Sequence, residues 1–179
     1  MPYSSFTLSQ VQSQFGLKVE KGVFFHDVGT LPPRQRTIEA IAESAPFAAT
    51  QGSEKVLSEL IIAPLLFELR SLLNGKIGLF SGMDFSIDSG LGLNGICDFL
   101  LTRSSNELLI EAPAIVLIEA KKADLIAAWG QCAAEMIAAQ KFNLSSGKET
   151  PVIYGSVTTG MNWQFLKLSG TNLTIDTTQ

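Results

Sequence analysis

Three apolar runs with partial two-residue alternation occupy the middle of the chain: K-I-G-L-F-S-G-M-D-F-S-I (76–87), G-L-N-G-I-C-D-F-L-L (92–101) and A-I-V-L-I-E-A-K (114–121). Their length and spacing predict strands, with bulges possible at the glycines of the first. Polar residues from Thr102 to Glu111 predict a hairpin loop between the second and third. On either side of this block the period changes to that of a helix. Gly52-Ser53 reads as the start of one that runs to about Leu73, with Asn74-Gly75 as its stop. Val56, Leu57, Leu60, Ile61, Pro64 and Phe67 share its broad apolar face, and Pro64 predicts a kink. A second helix, rich in Ala and free of Pro, is predicted from about Ala123 to Phe142. After the break at Ser145-Ser146-Gly147, strand patterns return at 151–157, 162–168 and 173–175, separated by turns at Thr158-Thr159-Gly160 and Ser169-Gly170.

The first third is less regular. Residues 7–15 suit a short helix ended by Gly16, residues 23–28 an extended piece, and Pro33 to about Ala45 a helix stopped by Pro46. The expectation is one domain spanning 1–179, in which a mainly helical N-terminal extension (1–51) packs on a core (52–179). The order within the core is α-β-β-β-α-β-β. Three strands in a row argue against a doubly wound alternation, and predict an α/β fold with a mixed central sheet flanked by helices.

Composition narrows the class. Hydrophobic residues make up 46% of the chain and mean hydropathy is +0.25, yet no run approaches the roughly 18 apolar residues of a membrane span. The N-terminus lacks the basic and apolar regions of a signal peptide, so a cytoplasmic protein is expected. Two cysteines, Cys97 and Cys132, and a single histidine, His26, exclude a disulfide framework and a zinc site. A net charge of −4 and a pI near 5.0 exclude a global positive field for nucleic acid, and leave room for a local basic groove or a protein partner, including a second copy.

Two features carry chemistry. Asp98 sits in the middle of an apolar strand, where a charge must be paired, hydrogen-bonded or bound to a metal. On the next strand Glu119 and Lys121 project to one side, about 7 Å apart along the strand, while Ala120 points the other way with Ile118 and Val116. One reading is a structural Asp98–Lys121 salt bridge. The other places a hard divalent cation, Mg²⁺ or Mn²⁺, between Asp98 and Glu119, whose charges would otherwise repel.

This arrangement of a helix, strands carrying Asp98, a strand ending Glu119-Ala120-Lys121 and then a helix resembles the PD-(D/E)xK nuclease superfamily, with its restriction-endonuclease-like fold. The resemblance covers about two thirds of the chain, roughly Gly52 to Leu168. Gln131 stands where many members carry a Gln on the helix after that strand. V-T-T-G-M-N-W-Q-F-L-K-L (157–168) resembles the strand-turn-strand with a Gly turn and a Trp that often follows. Cys97 occupies the position that gives the motif its Pro. The resemblance implies metal-dependent phosphodiester hydrolysis of nucleic acid, with DNA as the first expectation. It also implies Mg²⁺ or Mn²⁺ held by Asp98, Glu119 and the carbonyl of Ala120, with Glu59 or Glu54 of the first helix as further ligands. Lys121 would then assist the attacking water and Gln131 would orient Lys121 or the substrate.

Other positions have plainer readings. Glu59 can pair with Lys55 one helical turn away; Asp124, Gln131 and Glu135 form a polar stripe in which Glu135 is expected to be solvated. Arg34 and Arg36 are expected to cap or solvate a helix, and His26-Asp27 is an isolated loop pair. Two other readings remain: a catalytically inactive module of the same fold that serves binding or assembly, and an unrelated α/β domain in which Glu119 and Lys121 are a strand-end ion pair far from Asp98.

Overall fold

A computed structural model describes residues 2–26 and 28–177. Its centre is a seven-stranded mixed sheet of β1 (Lys18–Gly22), β2 (Gly78–Asp84), β3 (Ile96–Thr102), β4 (Ala114–Ala120), β5 (Ile153–Thr158), β6 (Trp163–Ser169) and β7 (Asn172–Asp176), in the order β1-β7-β6-β5-β4-β3-β2. The β1/β7 and β4/β5 pairs are parallel and the others antiparallel. Helices α1 (Leu8–Phe15) and α5 (Trp129–Ser145) lie on one face. On the other lie α2 (Gln35–Gln51), α3 (Glu54–Leu57) and α4 (Ala63–Leu72), the last two joined by a π turn at Ser58–Ile62. The α/β class and the mixed sheet flanked by helices are as the strand and helix periods predicted.

The first 51 residues are mainly helical, as expected, and they also give the sheet a strand. Lys18–Gly22 joins the sheet as an edge strand beside β7, and α1 packs on α5. The extended segment forms at 18–22 instead of 23–28 because Lys18 finds a partner at once: its N–H donates to the carbonyl of Thr171, 2.9 Å away. Gly130 lets α1 and α5 approach. A Cβ there would lie 2.3–2.5 Å from the backbone of Phe6, Thr7 and Leu8, so only glycine allows the contact.

Two prolines act differently from expectation. Pro46 does not stop α2, which continues to Gln51 and ends at Gly52 in the left-handed region. The expected Pro64 kink takes the form of the preceding π turn. The extra residue of that turn rotates the apolar face, so Leu57, Ile61, Ile62 and Leu66 are buried while Phe67 is 58% exposed. Glu68 is buried as well, and Arg34 answers it: the guanidinium and backbone N–H of Arg34 and the hydroxyl of Thr37 all donate to its carboxylate. Led by the Arg34 hydrogen bond, these hold Glu68 down at about 2. Arg34 therefore does more than cap α2; it ties α2 to α4.

The start of β4 is fixed from α5. Asn143, fully buried, accepts from the Ala114 N–H at 2.7 Å and donates to the Ala114 carbonyl at 2.8 Å and to Thr150 Oγ1 at 3.0 Å. Asn143→Leu keeps the volume but strands both backbone groups, and should cost about 3 kcal/mol in urea denaturation. An unchanged midpoint would mean that β4 is positioned by its ladders alone.

Candidate functional site

The β3/β4 ladder runs through Phe99↔Ile118 and stops. One step further, near the ends of the two strands, Asp98 and Glu119 come close enough for the charge of Asp98 to act on the Glu119 carboxyl. Because the strands part here, the next N–H of β4, that of Ala120, donates to a side chain: Asp98 Oδ2, at 2.8 Å. On the other side of Asp98, the β2/β3 ladder has no pair at Gly82, φ +63, and resumes in the same register at Met83↔Cys97. Asp98 is half-buried and lines a cleft of about 310 Å³ with Ser81, Gly82, Ala120 and the α3–π-turn residues Glu54, Lys55, Ser58 and Glu59.

Glu119 is only 2% exposed. Its Oε1 accepts from Lys121 Nζ at 2.5 Å. Burial first, and the charge of Asp98 second, push its carboxyl up to about 7, and Lys121 only partly offsets them. Lys121 is itself about a quarter exposed. Burial works against its charge, and the hydrogen bond and charge of Glu119, with Glu54 and Asp98 behind them, outweigh it and hold its pKa above the usual value. The ion pair is therefore Glu119–Lys121, with Asp98 beside it, and the Asp98–Lys121 salt bridge is not formed. Nor is Asp98 far from Glu119, as the unrelated-domain reading required.

Glu135 was expected in solvent and is instead fully buried. The reason lies in the helix: α5 begins at Trp129, so Asp124 is not on it, and caps the preceding turn by accepting from the Ala127 N–H at 3.1 Å. The polar stripe is thus two residues long and turns inward. Gln131, half-buried, donates to Glu135 Oε1 at 3.2 Å, and Glu135 stands within hydrogen-bonding reach of Glu119. Burial, then the charge of Glu119, drives the Glu135 carboxyl well up. Gln131 thus reaches Glu119 through Glu135 and makes no hydrogen bond to Lys121 among the described residues. The near absence of polar residues around this helix was the signal that Glu135 would be enclosed.

Glu59 lines the cleft with Asp98, but its exposed carboxylate is engaged by Lys55 at 3.7 Å. Of the His26-Asp27 pair, Asp27 lies outside the described residues. Among the described residues no three His, Cys, Asp or Glu side chains are grouped to hold an ion, and no helix is long and apolar enough to cross a membrane. What the strands bring together is two carboxylates, one of them almost wholly buried, next to the Ala120 backbone and one ammonium. That donor set fits a hard cation that keeps water in its remaining positions. Comparison with family models, with curated proteins and with solved structures returns no match.

Proposed function

We propose that this chain is a metal-dependent phosphodiesterase acting on nucleic acid, DNA in the first instance, with a PD-(D/E)xK-type site in a restriction-endonuclease-like core. The observation that carries the reading is the pair Asp98 and Glu119, two acids on adjacent strand ends with a single ammonium, that of Lys121, beside them. Such a pair is poorly compensated without a cation. Asp98, Glu119 and the Ala120 carbonyl would hold Mg²⁺ or Mn²⁺, with Glu59 available from the cleft wall once released from Lys55. When bound, the ion would polarise a phosphate oxygen and supply hydroxide at neutral pH. Lys121, charged and reachable from solvent, offers positive charge where a phosphorane would build up negative charge. Glu135 and Gln131 buttress Glu119 from behind and keep its carboxyl aimed at Asp98.

Calorimetric titration with Mg²⁺ or Mn²⁺, run beside a plasmid-nicking assay, tests this. The wild type should bind and nick; Asp98→Ala should lose at least about 100-fold in metal affinity, beyond what removal of an outer-shell partner costs, and nicking with it. A wild type that binds no metal at millimolar concentration would overturn the catalytic reading. It would favour a non-catalytic binding or assembly module, for which the exposed Ile38, Phe47 and Phe67 on α2 and α4 would supply the contact surface.

A further inference from the structure

Trp129 lines a cavity of about 710 Å³, a size usual for sites that enclose a small organic group. Its walls come from the turn before α5 and its first residue (Ile126, Trp129), the β5–β6 turn and the start of β6 (Met161, Asn162, Gln164), and the end of β1 (Lys21). Register locates it relative to the acidic pair. Glu119 pairs with Val157 and Val157 with Gln164, so these three project to one face. Trp129 of α5 confirms which face, because its Nε1 donates to Gln164 Oε1 at 2.9 Å. The cavity is therefore on the Glu119 side of the sheet, at the same end, two strand spacings or about 10 Å away.

The Trp129 indole is held before any ligand arrives. Gln164, which accepts from it, donates in turn to the Asp176 carbonyl at 3.3 Å. The indole N–H is thus spent within the protein, and the ring has apolar surface left to offer. The rim is apolar too, and open: Ile126 is 64% exposed and Met161 52%. Lys21 adds an ammonium. Asn162 adds an amide on a turn whose backbone is pinned by Thr158 and Thr159. Gln164 is a second amide of the lining and the buried Asp176 a carboxylate. Fixed aromatic surface, two amides and an exposed cation suit a flat ring with polar edges whose tethered anion lies at Lys21.

We propose that this cavity takes an unstacked base of a single-stranded nucleic acid, one or two nucleotides from the phosphate held at Asp98 and Glu119. The proposal rests on the phosphodiesterase reading and deepens it: the substrate would be single-stranded, or opened, at the site of attack. Stacking on aromatic side chains, with a lysine for the backbone, is the usual chemistry of such binding and is tolerant of sequence.

Because Trp129 lines the cavity, intrinsic fluorescence reports on it, with Trp163 on the opposite face as a constant background. A single-stranded oligothymidylate of about 10 nucleotides, titrated in the presence of EDTA, should quench wild type and Asp98→Ala saturably and alike. Ile126→Glu, which adds a carboxylate at an exposed rim position, should weaken that binding at least about tenfold, as expected for loss of one stacked base. A duplex of the same length should quench far less. Absent or unsaturable quenching, equal quenching of Ile126→Glu, or equal quenching by duplex would each overturn the proposal. The two readings fail separately: nicking without oligothymidylate quenching removes only the base site, while quenching without metal-dependent nicking supports the base site and removes the catalytic reading.

Discussion

At pH 8 and without divalent cations, Glu119→Gln should be more stable than the wild-type chain by about 3 kcal/mol, and it should be inactive. The stability difference follows from proton linkage. In the fold, burial and the neighbouring Asp98 hold the Glu119 carboxyl at about 7; in the unfolded chain it has its ordinary value near 4.5. Between these values the folded chain keeps a proton that the unfolded chain has released, so stability falls as pH rises through the window. A carboxyl displaced that far costs about 3 kcal/mol once fully ionised. Glutamine keeps the shape and does not titrate, so the variant lacks this slope. Denaturant unfolding at pH 4 and pH 8 measures it: the two proteins should nearly coincide at the lower pH and separate at the higher. Equal stability at pH 8 would mean that Glu119 is fully compensated by Lys121, and would remove the main argument for a cation. A residue whose replacement strengthens the fold and abolishes activity is held in place for function.

How far the sequence alone leads differs along the chain. The third apolar run and its charged end were legible because β4 alternates cleanly: Ile118 and Ala120 pack against α4, so Glu119 and Lys121 had to face away from it. Asp98 was legible as an acid out of place. That it comes beside Glu119 was not, since register depends on where the β3–β4 hairpin closes, and its loop is long and irregular. The edge strand β1 was missed because its partner β7 lies some 150 residues away, and nothing local in K-V-E-K-G announces a parallel pairing. The helix face around Pro64 was misplaced by the π turn, which changes the period within a helix and so defeats any fixed-period reading. Glu135 was misread for a related reason: a helix start set too early, near Ala123 instead of Trp129, made Asp124 its neighbour on a stripe and suggested solvent. In each case local chemistry was visible in the residues, and the contacts that decided its role were made by distant ones.

Lys121→Met separates the two roles an ammonium can have beside Glu119. Methionine keeps most of the aliphatic stem and removes the charge. If Lys121 serves only to neutralise a buried acid, its loss should be absorbed by protonation of Glu119, which already lies near 7 and would rise further without its 2.5 Å partner. At pH 6 the variant should then fold as well as the wild type, and a bound cation at neutral pH would stand in for the lysine. Activity tells the roles apart. Charge placed where a pentavalent phosphate forms lowers the barrier itself, and removing one such group costs about 10²–10³ in rate. The expected result is that Lys121→Met still binds Mn²⁺ by calorimetry, melts with the wild type at pH 6, and nicks plasmid at least about 100-fold more slowly. Retained nicking would demote Lys121 to a counter-ion. Loss of metal binding together with nicking would place the lysine in organising Glu119 and Asp98, a role that acts on the ground state. Only lost catalysis with metal binding intact assigns Lys121 to the reacting phosphate, because binding and folding then report the same site as before and the rate alone has changed.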